Sequence, residues 1–363
     1  MRVLQIINSL ATGGAEKLLL DSLPLYNKEN ISVDVLLLKG DAYPFVKELK
    51  DKQCCSIFSL TNGTVYNPLL IFKIIPYLKK YDVIHVHLFP AQYWVVLAKW
   101  IALSKVKLVF TEHSTSNRRM KNIFFSLFEN LIYKSYDAII AITETVRENI
   151  KNHVSLNDES IIVIQNGIDL EKINHAVPLE NFKNSFQKEN IQSILQVSSF
   201  QEPKDQLTVV KSLLYLPENF HLFLAGDGIT KSKVATVVKE LGLQNRVHFL
   251  GIRTDVPNLL KSVNYIVLSS KYEGLSLSSI EGMASGVPFI ASKVPGLQNI
   301  VENYGVLFEQ GNDQELAHKI LDLFKDEDLY KKTIASCLER AKHFDINLMV
   351  SKHIALYRKV YET

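Results

Sequence analysis

Short apolar runs recur along the chain, separated by longer stretches in which apolar residues return every three or four positions. The runs fall at residues 3–7, 32–38, 83–87, 107–111, 138–142, 161–164, 194–197, 220–225, 247–250, 265–268 and 289–292. Most are continuous rather than alternating, which is the pattern of strands buried on both faces, so they predict parallel sheets covered by helices. Strand followed by helix, repeated many times, is the signature of doubly wound α/β folds, whose ligands sit beyond the carboxyl ends of the strands. The alternation pauses once, in the polar stretch 169–192. That pause predicts two Rossmann-like domains facing each other across a cleft, one over 1–175 with about six strands and one over 185–345 with about five. No strand-like run occurs after residue 313, and 346–363 reads as a C-terminal helix that bridges back to the first domain.

Composition narrows the class. A chain of 363 residues that is 47% hydrophobic and 22% charged can bury a large core and is neither disordered nor fibrous. Its 41 Lys and Arg against 38 Asp and Glu leave a net charge of +3, which gives no global electrostatic case for nucleic acid, and no nucleic-acid partner is expected. The three cysteines, adjacent Cys54 and Cys55 and distant Cys337, offer neither a disulfide framework nor a metal-ligand spacing, and a reducing cytoplasm is the expected setting. No run approaches the ~18 apolar residues of a membrane-spanning helix. The first eight residues share a basic position and an apolar stretch with signal peptides, but Gln5 and Asn8 interrupt them, and a buried first strand is expected.

The most informative segment runs Tyr272-Glu273-Gly274-Leu275-Ser276-Leu277-Ser278-Ser279-Ile280-Glu281-Gly282 and on to Gly286-Val287-Pro288. It follows an apolar run, opens on a glycine-containing loop and enters a helix near Ser278. A helix start reached through such a loop presents unpaired backbone N–H groups and a positive dipole end to an anion. A second reading of Glu281 is a capping box, with Ser278 as the cap and Glu281 reaching back to its N–H. Capping does not account for Glu273, Gly274 and the Gly-Val-Pro exit together.

This segment resembles the Glu-x(7)-Glu motif of the family 4 retaining glycosyltransferases, which have the GT-B fold. The resemblance implies that Glu273 contacts hydroxyls of a donor sugar, that Glu281 holds the ribose of the sugar nucleotide, and that the backbone of Gly274, Leu275, Ser276 and Leu277 faces the sugar and diphosphate. Other stretches resemble the family in the same order. Gly13-Gly14-Ala15-Glu16 is similar to its amino-terminal glycine loop, which implies that the backbone at Gly14 approaches the donor phosphate; a plain turn needing positive φ is the other explanation. Thr111-Glu112-His113-Ser114 ends a strand where the family carries a histidine reaching the transferred sugar, a role implied for His113 beside an ordinary structural one. Ser199-Phe200-Gln201-Glu202-Pro203-Lys204 resembles the loop whose arginine and lysine bind the diphosphate. Lys204 matches the lysine, or is a solvated surface lysine, while Ser199 stands at the arginine's place. The departure leaves one fixed cation instead of two, with Arg253 as a candidate substitute. Gln165-Asn166-Gly167 and Ala225-Gly226-Asp227-Gly228 keep the register of the resemblance, which extends from Arg2 to about Phe344.

The resemblance implies an acceptor-binding first domain, a nucleotide-sugar-binding second domain, and hexosyl transfer from a nucleoside-diphosphate sugar to a hydroxyl with retention. UDP is the first expectation and GDP the second, and no metal or other cofactor is expected. His85-x-His87 puts two imidazoles on one strand face, as a metal site needs, but no third ligand is suggested. The acceptor is expected to be a carbohydrate or lipid-linked, as in assembly of surface polysaccharide or glycolipid. The basic residues 117–122, leading into an amphipathic stretch to 132, suggest peripheral contact with an anionic membrane at its inner face; a core-facing helix with a solvated lead-in explains them as well. Alternatives are a nucleotide-sugar 2-epimerase of the same architecture, a glycosidase built on the glutamate pair, and a non-catalytic sugar-nucleotide sensor.

Overall fold

The structure is a computed structural model that describes residues 1–11, 13–113, 123–180, 182 and 190–363. The chain divides into two compact units, residues 1–167 with 346–363, and residues 168–345.

The first unit is built on seven strands: β1 (Arg2–Ile7), β2 (Ser32–Lys39), β3 (Ile57–Thr61), β4 (Val83–His87), β5 (Lys107–Glu112), β6 (Ala138–Ala141) and β7 (Ile161–Val163). All pair in parallel in the order β3-β2-β1-β4-β5-β6-β7. The chain first steps outward from β1 and then crosses to β4, so right-handed crossovers put helices on both faces. That is why the central strands are continuously apolar, with Val3, Leu4, Ile6, Val83, Ile84 and Val86 all fully buried. The helix Ile346–Glu362 packs against the helix Gly14–Lys28 of this unit. It buries Ile346, Met349, Val350, His353, Ile354, Tyr357 and Val360, a three-to-four-residue spacing that makes one continuous face.

The second unit has six parallel strands: β8 (Gln192–Val197), β9 (Phe220–Ala225), β10 (Val247–Gly251), β11 (Tyr265–Leu268), β12 (Phe289–Ser292) and β13 (Val306–Phe308). Their order is β10-β9-β8-β11-β12-β13. Its core gathers Ile194, Leu222, Leu224, Tyr265, Val267 and Ile290 from the strands with Val209, Val210, Leu316 and Ile320 from the covering helices.

The observed sheets have seven and six strands where the apolar runs suggest about six and five. The two additional strands, β3 and β13, are both edges. An edge strand is covered less completely, so its sequence need not be continuously apolar: β3 is half-buried along most of its length, and β13 has only three residues. The division between units also falls earlier than the expected boundary. The polar segment after residue 167 packs with the second unit through Ile168 N to Phe344 O at 2.8 Å, Leu179 N to Ser262 Oγ at 2.8 Å and Asn258 Nδ2 to Val177 O at 3.0 Å. Within it Leu170–Asn174 form one short helix, capped by Asp169, whose side chain accepts from Lys172 N at 2.8 Å.

Candidate active site

In the second unit the strand order reverses between β8 and β11. Loops leaving adjacent strands at such a reversal diverge and leave room for a ligand. Lys204 follows β8 and Glu273 follows β11, and the structure brings them together: Lys204 Nζ donates to Glu273 Oε1. The same oxygen accepts from Ser270 Oγ at 2.7 Å. The side chains of Lys204 and Glu273 are only 19% and 10% exposed, so the pair is partly withdrawn from water and its geometry is held rather than averaged.

The two loops are tied to each other below the pair. Lys204 and Ser270 form an antiparallel bridge, Asp205 N donates to Ser269 O at 3.0 Å, and Lys271 N donates to Pro203 O at 2.8 Å. Gln196 Nε2 and Gln206 Nε2 both donate to Ser198 Oγ, at 3.0 and 3.1 Å. Two close backbone approaches also require glycine. A Cβ on Gly296 would collide with the carbonyl oxygens of Glu273 and Gly274, and one on Gly226, at φ +140°, with that of Ser198.

Ser199 brings no cation to this loop; its carbonyl accepts from Gln206 Nε2 at 3.0 Å. Arg253, the candidate second cation, is engaged elsewhere. Its Nε and Nη2 grip Asp255 at 2.8 and 2.5 Å, and the guanidinium holds that carboxyl below its ordinary range. Both arms of the fork face Asp255, in a pair whose side chains are 34% and 35% exposed.

Glu281 is buried in the helix Leu277–Met283. That helix starts one residue before Ser278, with Ser276 in the cap position and making no side-chain cap bond. Ser278 thus lies inside the first turn, and the capping box does not form. Gly274 and Leu275 lie in the loop before the cap, and Ser276 O accepts from Ser279 Oγ at 2.7 Å.

In the first unit, Gly14 opens the helix Gly14–Lys28 after β1. Its φ is not in the left-handed region, and a Cβ there would meet nothing within 4 Å among the described residues. The positive-φ turn is therefore not what selects glycine at this position. Gly13 differs, because a side chain there would meet the carboxylate of Glu16, whose pKa burial raises.

His113 directly follows β5 and is half-buried, and its Nε2 meets His87 Nδ1 at 3.1 Å. Loss of hydration lowers its pKa to about 4. His85 and His87 are buried and spent on protein partners, His85 on Tyr357 and Thr111 and His87 on Gln5 and His113. Among the described residues no group of three or more His, Cys, Asp or Glu side chains could hold a metal ion. Residues 117–122 lie outside the described residues, and the stretch that follows them is helical over Ile123–Lys134.

Sequence reasoning missed Ser270, Gln196, Gln206 and Gln5. The one available signal was the paired Ser269-Ser270 at the end of an apolar run, the end of the strand beyond which ligands bind in such folds.

The family described as Glycosyltransferase Family 4 matches residues 12–172, and that described as Glycosyl transferases group 1 matches residues 179–340. Over 360 residues the chain is 26% identical to the N-acetylgalactosamine-N,N'-diacetylbacillosaminyl-diphospho-undecaprenol 4-alpha-N-acetylgalactosaminyltransferase of Campylobacter jejuni, covering 93% of this chain and 94% of that one. It is also 26% identical over 239 residues to the UDP-Gal:alpha-D-GlcNAc-diphosphoundecaprenol alpha-1,3-galactosyltransferase of Escherichia coli, covering 62% of this chain and 61% of that one. Among solved structures, HepE of Anabaena in complex with UDP and glucose superposes with a TM-score of 0.84 at 22% identity, over 99% of each chain. With one family matched across each unit, this chain is a family 4 glycosyltransferase of the GT-B fold.

Proposed function

We propose that this enzyme transfers a hexosyl group from a nucleoside-diphosphate sugar to a hydroxyl of a lipid-linked saccharide, with retention at the anomeric carbon and without a divalent metal. The observation that carries the proposal is the Lys204–Glu273 pair at the strand reversal of the second unit. The anomeric C–O bond to phosphate breaks, its electron pair leaves with the diphosphate, and the acceptor oxygen bonds to the same face while releasing its proton. Lys204 neutralises charge on the departing diphosphate, and such a preorganised cation in a partly desolvated site does work that a metal ion does elsewhere. Glu273 orients the donor sugar through its hydroxyls, and Glu281 holds the ribose. The backbone of Gly274, Leu275, Ser276 and Leu277 faces sugar and phosphate. Gly14 leaves space for phosphate to approach its loop, and His113 contacts the transferred sugar. Ser199 in place of an arginine, with Arg253 engaged by Asp255, leaves Lys204 as the principal side-chain cation for the diphosphate.

UDP is favoured over GDP because HepE is solved with UDP and the E. coli relative is named for UDP-Gal. The alpha linkages and undecaprenol diphosphate acceptors named for two relatives support retention and a lipid-linked acceptor in glycolipid or polysaccharide assembly. Incubation with UDP-sugars in EDTA is expected to release UDP only when a polyprenyl-diphosphate-linked N-acetylhexosamine is present. Isomerisation of the donor without acceptor would instead identify a 2-epimerase, and abolition by EDTA would remove the metal-free mechanism.

A lipid-linked acceptor places the enzyme at a membrane surface, and the first unit has a face suited to one. Residues 52–111 contain seven lysines, of which Lys52, Lys99 and Lys107 are ion-paired within the fold and Lys73, Lys79, Lys80 and Lys105 are exposed. The helices Leu70–Leu78 and Ala91–Ile101 pack side by side and, with the residues that flank them, leave Leu69, Phe72, Trp100, Ile101 and Leu103 exposed. Lysines near an anionic leaflet contribute ~1 kcal/mol each, and exposed aromatic and aliphatic side chains bury into the interface. Both tryptophans of the chain, Trp94 and Trp100, lie on the helix Ala91–Ile101. Their emission is expected to shift to the blue on phosphatidylglycerol vesicles, with reversal by salt and no shift on phosphatidylcholine; unchanged emission on bound anionic vesicles would exclude this face.

A further inference from the structure

A hydrogen-bonded chain crosses the interior of the first unit from the C-terminal helix to His113. Gln5, within β1, donates from Nε2 to the Tyr357 hydroxyl at 3.0 Å, and its Oε1 lies 2.7 Å from His87 Nε2. His87 Nδ1 in turn lies 3.1 Å from His113 Nε2. On the other side, the Tyr357 hydroxyl lies 2.6 Å from His85 Nδ1, and His85 Nε2 lies 2.7 Å from Thr111 Oγ1. Gln5, His85 and His87 are almost fully buried, so water does not compete for these bonds.

The protons along this chain follow from the two unlike ends of one amide. An amide oxygen only accepts, so His87 carries its proton on Nε2 and donates it to Gln5. A neutral imidazole has a single proton, so His87 Nδ1 is an acceptor, and the bond to His113 requires a proton on His113 Nε2. Burial keeps both rings neutral by holding their pKa values below the ordinary range, His113 at about 4. His113 Nδ1 is then an unprotonated lone pair with no hydrogen-bond partner among the described residues. With Gln5 Nε2 donating to it, the Tyr357 hydroxyl directs its own proton away from Gln5, to His85 Nδ1 or to the neighbouring Tyr26 hydroxyl. Reversing the polarity requires Gln5, His87 and Tyr357 to turn over together.

We propose that Gln5 and His87 are positioning residues that fix His113 as its Nε2–H tautomer, presenting Nδ1 as an acceptor for a hydroxyl of the transferred sugar. The sugar partner rests on the reading of His113 given above; the tautomer does not. The consequence is specificity of one sign. A sugar that offers an O–H at this point is accepted, whereas one carrying an ether or carboxylate there meets lone pair with lone pair.

Long-range nitrogen–proton correlation spectra of the full chain labelled with 15N-histidine report each tautomer directly, with His87 and His113 assigned from His87→Asn and His113→Asn. Both rings are expected as Nε2–H at pH 7.5. In Gln5→Leu His87 loses its acceptor, and in Tyr357→Phe the amide is free to turn. Each variant is expected to convert the single His113 tautomer into a mixture, and the second serves if the first folds poorly. Wild-type His113 as Nδ1–H, or an unchanged tautomer in both folded variants, overturns the proposal. UDP-glucose, UDP-galactose and UDP-N-acetylglucosamine, each compared with UDP, then test the sugar contact separately. Nε2–H rings whose Nδ1 resonance no donor moves would keep the relay and remove His113 from the sugar site.

Discussion

Lys204→Ala and Glu273→Ala are each expected to reduce sugar transfer ~10²–10³-fold, the range seen when one preorganised charge or donor is removed from a developing oxyanion. Lys204→Ala deprives the leaving diphosphate of its cation and leaves Glu273 with Ser270 as its one hydrogen-bond donor among the described residues. Glu273→Ala removes the sugar's anchor and lets the lysine swing. Because each side chain holds the other, the double variant is expected to fall well short of the product of the two losses. Glu273→Gln, which keeps the shape and an acceptor for Ser270, is expected to lose less than the alanine variant. Both loops are fixed by backbone bonds independent of these side chains, so circular dichroism and melting temperature should stay near wild type. Turnover within a few-fold of wild type in both alanine variants would separate this pair from the chemistry.

Acid is expected to unfold the first unit before the second. His85, His87, His113 and His353 are enclosed in the first unit, where desolvation, the largest cause for each, lowers their pKa values, His113 to about 4 and His353 to about 3. For all but His113, neighbouring imidazoles add to the shift. In the unfolded chain each titrates near ~6.5. Above that pH both states are neutral and the groups contribute nothing to the pH dependence. Below it the unfolded chain takes up protons that the folded unit refuses, so stability falls as pH drops from about 6.5 toward 4. The slope reaches at most ~1.4 kcal/mol per pH unit for each histidine, and four together are large against a domain stability of about 5–15 kcal/mol. Hydrogen exchange pulsed at one fixed pH after incubation at pH 7, 6 and 5 is expected to show residues 1–113 and 346–363 losing protection ahead of 190–345. His353→Gln, which leaves an amide for Tyr26, is expected to flatten the dependence by about one proton. Equal loss of protection in both units would contradict this account of the cluster.

The parts of the fold legible in the sequence were those where burial is complete. All eleven apolar runs are strands: nine are central, where a parallel strand must be apolar on both faces, and two, β7 and β10, are edges that happen to be apolar, whereas β3 and β13, also edges, are free of that demand and do not show it. The glycine loop, His113, Lys204 and Glu273 were legible as local patterns at strand ends. What those residues touch was not, because the contacts are long-range. Gln5 and Tyr357 are 352 positions apart, and nothing in the first strand announces that its one polar interior residue orients an imidazole. Arg253 is the opposite case, a local contact: its partner Asp255 is two residues away, and the pair is exposed enough for a ligand to compete with it.

Retaining transfer from a sugar nucleotide stands or falls on the anomeric configuration of the first product. The protein, a UDP-hexose and a polyprenyl-diphosphate-linked N-acetylhexosamine, incubated in EDTA, are predicted to give a disaccharide whose new anomeric proton shows the small coupling of an alpha linkage. A large coupling, the mark of a beta linkage and inversion, would contradict the assigned chemistry.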